Sequence, residues 1–199
     1  MLTAGFSVMC LFFLILFFPK SLTLILFRIL LIGDSNIFHN ANNIINDRWL
    51  QFWPIELHAK KGLRASDLEN PELSLKAKSF SHVILCVGNN DLTPWREREA
   101  LSAKNAASYI AAFVNVVSKS NVNVCVIGLT KRQDLKEFAG TGVAVECNDF
   151  LIEWVGRDRF VKPDIRPKHC KEDKCHYNEM GVNNLKAAIL DVIVNKFEL

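Results

Sequence analysis

The chain has 199 residues, of which 50% are hydrophobic and 23% are charged. This composition is typical of one globular domain with a buried core and excludes a largely disordered chain. The formal net charge is only +3, and basic residues are interspersed with acidic ones, so no nucleic-acid partner is expected.

The N-terminal segment, residues 1–27, is hydrophobic and contains an uncharged run from residue 2 to residue 18. Three interpretations stay open: a signal anchor, a cleaved signal peptide, or a wrongly assigned start upstream of the domain. An anchor would associate the protein with a membrane through residues 2–27. The protein would be membrane-anchored or secreted if the segment is real, and cytoplasmic if the start is wrong. The globular domain is predicted to cover residues 28–199.

From Arg28 onward, apolar runs alternate with helical patterns. "RILLIG" is an uninterrupted apolar run, typical of a strand that is buried on both faces. A helical pattern over residues 37–52 follows, and "PIELHA" is a shorter candidate strand. "HVILCVG" predicts a second buried strand, and the alanine-rich "LSAKNAASYIAAFVNVVSKS" predicts a helix.

The second half of the chain continues the alternation. "VNVCVIGL" predicts a buried strand, "NDFLIEWV" the end of a helix, and "DRFVKPD" a weak final strand. The C-terminal pattern is an amphipathic helix with Val182, Leu185, Ile189 and Val192 along one face. Such alternation predicts an α/β fold in which helices cover both faces of a parallel sheet.

Polar side chains follow the predicted strands at the edge where ligands bind in such sheets. Ser35, Gly62 and Asn90 come after the first three strands, and Asp173 and His176 precede the last helix. A serine becomes a nucleophile when a histidine accepts its proton, and a carboxylate orients that histidine. Backbone N–H groups and an asparagine amide can stabilise the resulting oxyanion. The pattern therefore predicts an acyl-transfer site.

Four stretches in order resemble blocks I, II, III and V of the SGNH (GDSL-like) hydrolases: "GDSN", "KKGLRASDL", "VGNND" and "DKCHYNEMG". The resemblance extends from Arg28 to the C-terminus. It implies a flavodoxin-like three-layer α/β/α sandwich with a central parallel sheet of about five strands.

The resemblance also implies the roles of the site residues. Ser35 would be the nucleophile and first oxyanion donor, Gly62 and Asn90 would complete the oxyanion hole, and His176 would be the base oriented by Asp173. The implied reaction is hydrolysis or transfer of an acyl group on a small-molecule, carbohydrate or lipid ester. It needs no metal or organic cofactor.

The chain departs from the family at two points, and a second function stays open. Asn36 replaces the leucine of block I, and "GLRAS" replaces a more glycine-rich loop in block II. The alternative function is a catalytically silent domain that binds a ligand or partner on the same fold. Trp95 either lines the acyl pocket or anchors a loop. His39 is predicted to be a surface residue that borders the substrate if it faces the site.

The stretch "HCKEDKCH", residues 169–176, could instead form a zinc site or a disulfide, and these are alternatives to its role in acyl transfer. Its two His–Cys pairs are adjacent in sequence and lack the spacing of zinc ligands, so no metal is expected. A Cys170–Cys175 disulfide, or a pairing of Cys147, would require an oxidising compartment.

Overall fold

The computed structural model describes residues 27–94, 99–132, 134 and 142–199. Five parallel strands form one sheet in the order β2-β1-β3-β4-β5. This confirms the predicted flavodoxin-like sheet. Apart from Phe27, the hydrophobic N-terminal segment lies outside the described residues, as does Trp95. The strands are β1 Ile29–Gly33, β2 Ile55–Ala59, β3 His82–Cys86, β4 Asn123–Ile127 and β5 Phe160–Val161.

The central strands supply two separate cores. Successive side chains of a strand point to opposite faces, so Leu30 and Ile32 enter one core while Ile29 and Leu31 enter the other. All four side chains are fully buried, which explains why β1 is apolar without interruption. A sheet buried on both faces is the middle layer of a three-layer sandwich.

Helices cover both faces of this sheet. Side chains of α3, α4 and α5 contribute to the core around Leu30, and side chains of α1, α2 and α6 contribute to the core around Leu31. The helices are α1 Ser35–His39, α2 Ala41–Ile45, α3 Pro71–Ala77, α4 Ala103–Ser118, α5 Val143–Val155 and α6 Glu179–Asp191. None of the helices in the described ranges is long and apolar enough to cross a membrane.

The helical pattern over residues 37–52 does not form one helix. It is divided into α1, α2 and a 3-10 turn at Leu50–Phe52. Asn40 separates the first two helices, and its side chain donates a hydrogen bond to the Asn36 carbonyl at 2.7 Å. An asparagine that bonds to the backbone in this way competes with helix continuation.

Helix α3 is absent from the sequence-based prediction, although its start carries a recognisable signal. Asn70 caps the helix by accepting a hydrogen bond from the Glu72 N–H, and Pro71 occupies the first helical position. The helix is too short for apolar periodicity alone to reveal it.

Ser102 provides a measurable helix cap on α4, because its hydroxyl accepts the Asn105 N–H at 3.1 Å. Ser102→Ala should lower the free energy of unfolding by about 1 kcal/mol in urea denaturation. Ser108→Ala, in the exposed interior of the same helix, is the matched control and should not destabilise the domain. Equal destabilisation by both variants would contradict the capping role.

Candidate active site

The candidate site lies at the carboxyl ends of β1 and β3, where the strand order reverses direction. The two strands are paired up to Gly33 and Cys86, and the Asp34 N–H donates to the Cys86 carbonyl at 3.2 Å. Helix α1 begins immediately afterwards at Ser35. A Cβ on Gly33 would collide with the Ile37 side chain, so glycine permits the close packing of α1 on the strand end. Ligands bind at this kind of switch point in open α/β sheets.

The turn that carries Ser35 is held by Asp34. One oxygen of this buried carboxylate accepts the Asn36 N–H at 2.9 Å and caps α1. Burial raises the pKa of Asp34, and the opposing charge of Arg132 offsets this only in part. Ser35 is 7% exposed, and none of the residues described by the structure forms a hydrogen bond with its hydroxyl.

Asp173 and His176 form a close pair in the loop before α6. Asp173 Oδ2 lies 2.6 Å from His176 Nδ1, and Asp173 Oδ1 accepts the backbone N–H groups of Cys175 and His176 at 3.0 and 2.8 Å. Partial burial opposes ionisation of Asp173, but the hydrogen bonds from His176 and Cys175 outweigh it and lower the pKa to about 2. Lys174 adopts a φ of 62°, which allows this tight turn.

The ionised carboxylate determines the tautomer of His176. Asp173 can only accept hydrogen bonds at any pH well above 2, so His176 Nδ1 must carry the hydrogen. The other ring nitrogen, Nε2, is then free to accept a proton while the ring is neutral. This is the arrangement that a general base requires.

Asn36 connects two segments of the site. One is the loop of residues 170–177, called the His176 loop, and the other is the turn of residues 34–36, called the Ser35 turn. Its Oδ1 accepts the Tyr177 N–H at 3.0 Å, and its Nδ2 lies 3.5 Å from the Cys175 carbonyl oxygen. These contacts join residues that follow and precede His176 to the residue after Ser35. Ser35 and His176 do not hydrogen-bond directly, and such bonds often tighten only when substrate binds.

Gly62 lies in the loop after β2, and the Asn90 side chain bonds to the same loop. Gly62 adopts a φ of 71°, and Asn90 Nδ2 donates to the carbonyl of the next residue, Leu63, at 3.1 Å. Arg132 donates to Asn90 Oδ1 at 3.3 Å, which determines the orientation of the amide because arginine cannot accept. Within the described part of the chain, the second hydrogen on Asn90 Nδ2 has no acceptor.

The neighbours of Asn90 join further loops to the same edge of the sheet. Asn89 Oδ1 accepts the Thr130 N–H at 3.1 Å, after β4. Asp91 is fully buried and accepts the Ala65 N–H at 2.7 Å, after β2. The polar residues of "GNND" therefore bind the loops on both sides of β3.

Arg132 is a site residue that the sequence analysis did not identify. It is 1% exposed and forms a two-bond ion pair with Asp134, at 3.0 and 2.6 Å. Burial alone would lower the pKa of Arg132, but the neighbouring carboxyl groups of Asp134 and Asp34 raise it. Its position after β4, at the same sheet edge as Ser35, was the available signal.

His39 lies beside His176. Their ring centroids are 4.8 Å apart in an edge-to-face arrangement with an interplanar angle of 86°. Partial burial and the nearby charge of His176 lower the pKa of His39, although its side chain is exposed. His39 therefore borders the candidate site, as expected if α1 faces it.

The two histidines of "HCKEDKCH" have different partners. His169 is 3% exposed and accepts the Arg166 N–H at 3.2 Å through Nδ1, whereas His176 Nδ1 is bonded to Asp173. None of Cys147, Cys170 and Cys175 is part of a disulfide. Among the residues that can be described, no three His, Cys, Asp or Glu side chains are grouped to hold a metal.

The sequence matches no protein-family model and no curated protein, but the structure resembles solved hydrolases. A GDSL-like lipase from Bacteroides thetaiotaomicron is 13% identical with a TM-score of 0.66, over 88% of this chain and 90% of that chain. A catalytic mutant of an acetylxylan esterase from Geobacillus stearothermophilus is 13% identical with a TM-score of 0.62, over 83% and 93%.

A third similar structure is the psychrotrophic esterase EstA from Pseudoalteromonas, inhibited by monoethylphosphonate. It is 14% identical with a TM-score of 0.59, over 84% of this chain and 99% of that chain. Together with the sheet order and the layer arrangement, these likenesses establish that the chain has the fold of the SGNH (GDSL-like) hydrolases.

Proposed function

We propose that this protein is a serine esterase that hydrolyses small acyl esters. In this proposal, Ser35 is the nucleophile, His176 is the general base and Asp173 orients His176. The backbone N–H groups of Ser35 and Gly62 and the side-chain amide of Asn90 form the oxyanion hole. The esters include acylated carbohydrates and lipids, since the fold serves lipases and acetylxylan esterases.

The observation that carries this proposal is the bonded Asp173–His176 pair attached through Asn36 to the turn of Ser35. The pair has the 2.6 Å contact, the ionised carboxylate and the tautomer that a catalytic base requires. Both residues lie at the sheet edge where ligands bind in this kind of fold, and within the described ranges neither His176 Nε2 nor the Ser35 hydroxyl is taken up by a structural hydrogen bond.

The chemistry proceeds in two acyl-transfer steps. Ser35 Oγ attacks the ester carbonyl carbon while its proton moves to His176 Nε2, and the carbonyl oxygen becomes an oxyanion. Donors at Ser35, Gly62 and Asn90 stabilise that charge. The intermediate then expels the alcohol, which takes the proton from His176. Water, activated by His176 in the same way, releases the acid and regenerates Ser35.

A fluorophosphonate probe tests the nucleophile directly. The purified domain should be labelled on Ser35, identified by peptide mass spectrometry, and Ser35→Ala should not be labelled. Ser102→Ala is the matched control, because it removes a serine hydroxyl elsewhere and should be labelled like the wild type. Labelling that survives Ser35→Ala would place the nucleophile at another residue. An unlabelled wild type that still binds esters would favour the silent binding domain.

A further inference from the structure

We propose that Asn36 is a positioning residue that holds His176 in register with Ser35. This inference rests on the proposed esterase function and extends it to a residue that touches neither substrate nor the transferred proton. It arises from the one position of "GDSN" at which the chain differs from the "GDSL" pattern.

The contacts of Asn36 bracket the proposed base. Its carboxamide oxygen accepts the Tyr177 N–H at 3.0 Å, and its amide nitrogen lies 3.5 Å from the Cys175 carbonyl oxygen. One side chain thereby holds the peptide groups on both sides of His176. Asn36 itself is fully buried, so these bonds are not exchanged with bulk water.

The His176 loop is closed by bonds between its own residues. Its position relative to Ser35 therefore depends on how the whole loop is attached to the Ser35 turn. The Lys171 N–H donates to the His176 carbonyl at 2.7 Å, and Cys170 pairs with Tyr177 in an antiparallel bridge. We expect a loop closed in this way to move largely as one body. A displacement between it and α1 would therefore shift the whole Asp173–His176 pair relative to Ser35.

Asparagine suits this role because its carboxamide combines an acceptor and a donor. A leucine at residue 36 would leave the Tyr177 N–H, whose residue is 1% exposed, without its acceptor. The backbone of residue 36 is also anchored, since its N–H donates to Asp34 Oδ1 at 2.9 Å. The carboxamide is therefore presented from a rigid turn.

The test compares Asn36→Leu and Asn36→Ala with Asn40→Ala. Asn40→Ala removes a neighbouring buried asparagine that bonds to the Asn36 carbonyl but not to the His176 loop. Both Asn36 variants should lower kcat for p-nitrophenyl acetate about 10- to 100-fold with KM changed less than about threefold. Amide hydrogen exchange at Tyr177 should accelerate in both. Asn40→Ala should change neither kcat nor the exchange rate of the Tyr177 amide. The thermal unfolding of all three variants is measured alongside the assays.

Each outcome decides the proposal. A Tyr177 amide that stays protected in both Asn36 variants overturns it, as does unchanged kcat in an active domain. A kcat loss that Asn40→Ala reproduces at equal loss of thermal stability also overturns it. If the wild type shows no turnover, the esterase function fails separately. The exchange rate of Tyr177 then still determines whether Asn36 holds the His176 loop.

Discussion

His176→Ala should lower kcat for p-nitrophenyl acetate by about 10³-fold or more. In the proposed mechanism the imidazole accepts the Ser35 proton at Nε2, because Nδ1 is bonded to Asp173. Without it, attack depends on an unassisted serine hydroxyl, which is a poor nucleophile. KM should change much less than kcat, because the lost interaction operates in the transition state.

His58→Ala is the matched control for this prediction. His58 lies on the edge strand β2 and forms no part of the candidate site. Its removal should leave kcat within about twofold of the wild type, in line with the small effects of most substitutions outside a site. Undiminished turnover in His176→Ala would assign the base to another group and refute the proposed triad.

Asp91→Ala should lower the free energy of unfolding by about 2 kcal/mol at pH 7.5. Asp91 is fully buried and accepts the Ala65 N–H at 2.7 Å and the Ser66 N–H at 3.5 Å. The alanine variant leaves these donors without acceptors at the start of the 3-10 helix Ala65–Glu69. Urea denaturation followed by circular dichroism measures the loss.

The loss should be larger in acid. Burial raises the pKa of Asp91 to about 6 in the folded state, against the opposing hydrogen bonds from Ala65 and Ser66. A raised folded pKa gives a stabilising contribution that is fully present below the ordinary value of 3.8 and is lost as the pH rises through about 6. At pH 4.5 the wild type therefore gains about 2 kcal/mol that the variant lacks. The total loss there should be about 4 kcal/mol.

Asp149→Ala on α5 is the control, because this carboxylate is exposed. Its effect should stay within about 0.5 kcal/mol at both pH values. A loss from Asp91→Ala that is the same at pH 4.5 and pH 7.5 would contradict the raised pKa of Asp91.

The centre of the sheet was predictable because β1, β3 and most of β4 are buried on both faces. "ILLIG", "VILCVG" and "VCVIG" are apolar without interruption, and each forms most or all of a strand at the expected place. Residues at the ends of such strands could be assigned to one edge by the general rule for parallel sheets. The pair Asp173 and His176 was also accessible from sequence, since three positions separate them and one turn brings them together.

Asn36 and Arg132 could not be interpreted in the same way. The backbone partner of Asn36 lies 141 positions away, and nothing local to "GDSN" indicates it. Arginine is almost never fully buried without a partner, so the scattered charges of "LTKRQD" predict a solvated loop. Asp134 is close to Arg132 in sequence, but burial of Arg132 also depends on Asn90, which lies 42 positions away and is brought near only by folding.

Ser35 and its proposed base, His176, lie far apart in the sequence. This separation determines when a newly synthesised molecule can become active. The bond from Tyr177 to Asn36 spans 141 positions, and closing such a long loop is among the slower steps of folding. During translation, β1 and the Ser35 turn emerge long before residues 173–177. Hydrolysis would therefore begin only when α6 has docked, and the first turnover of a newly made molecule would mark completion of its fold.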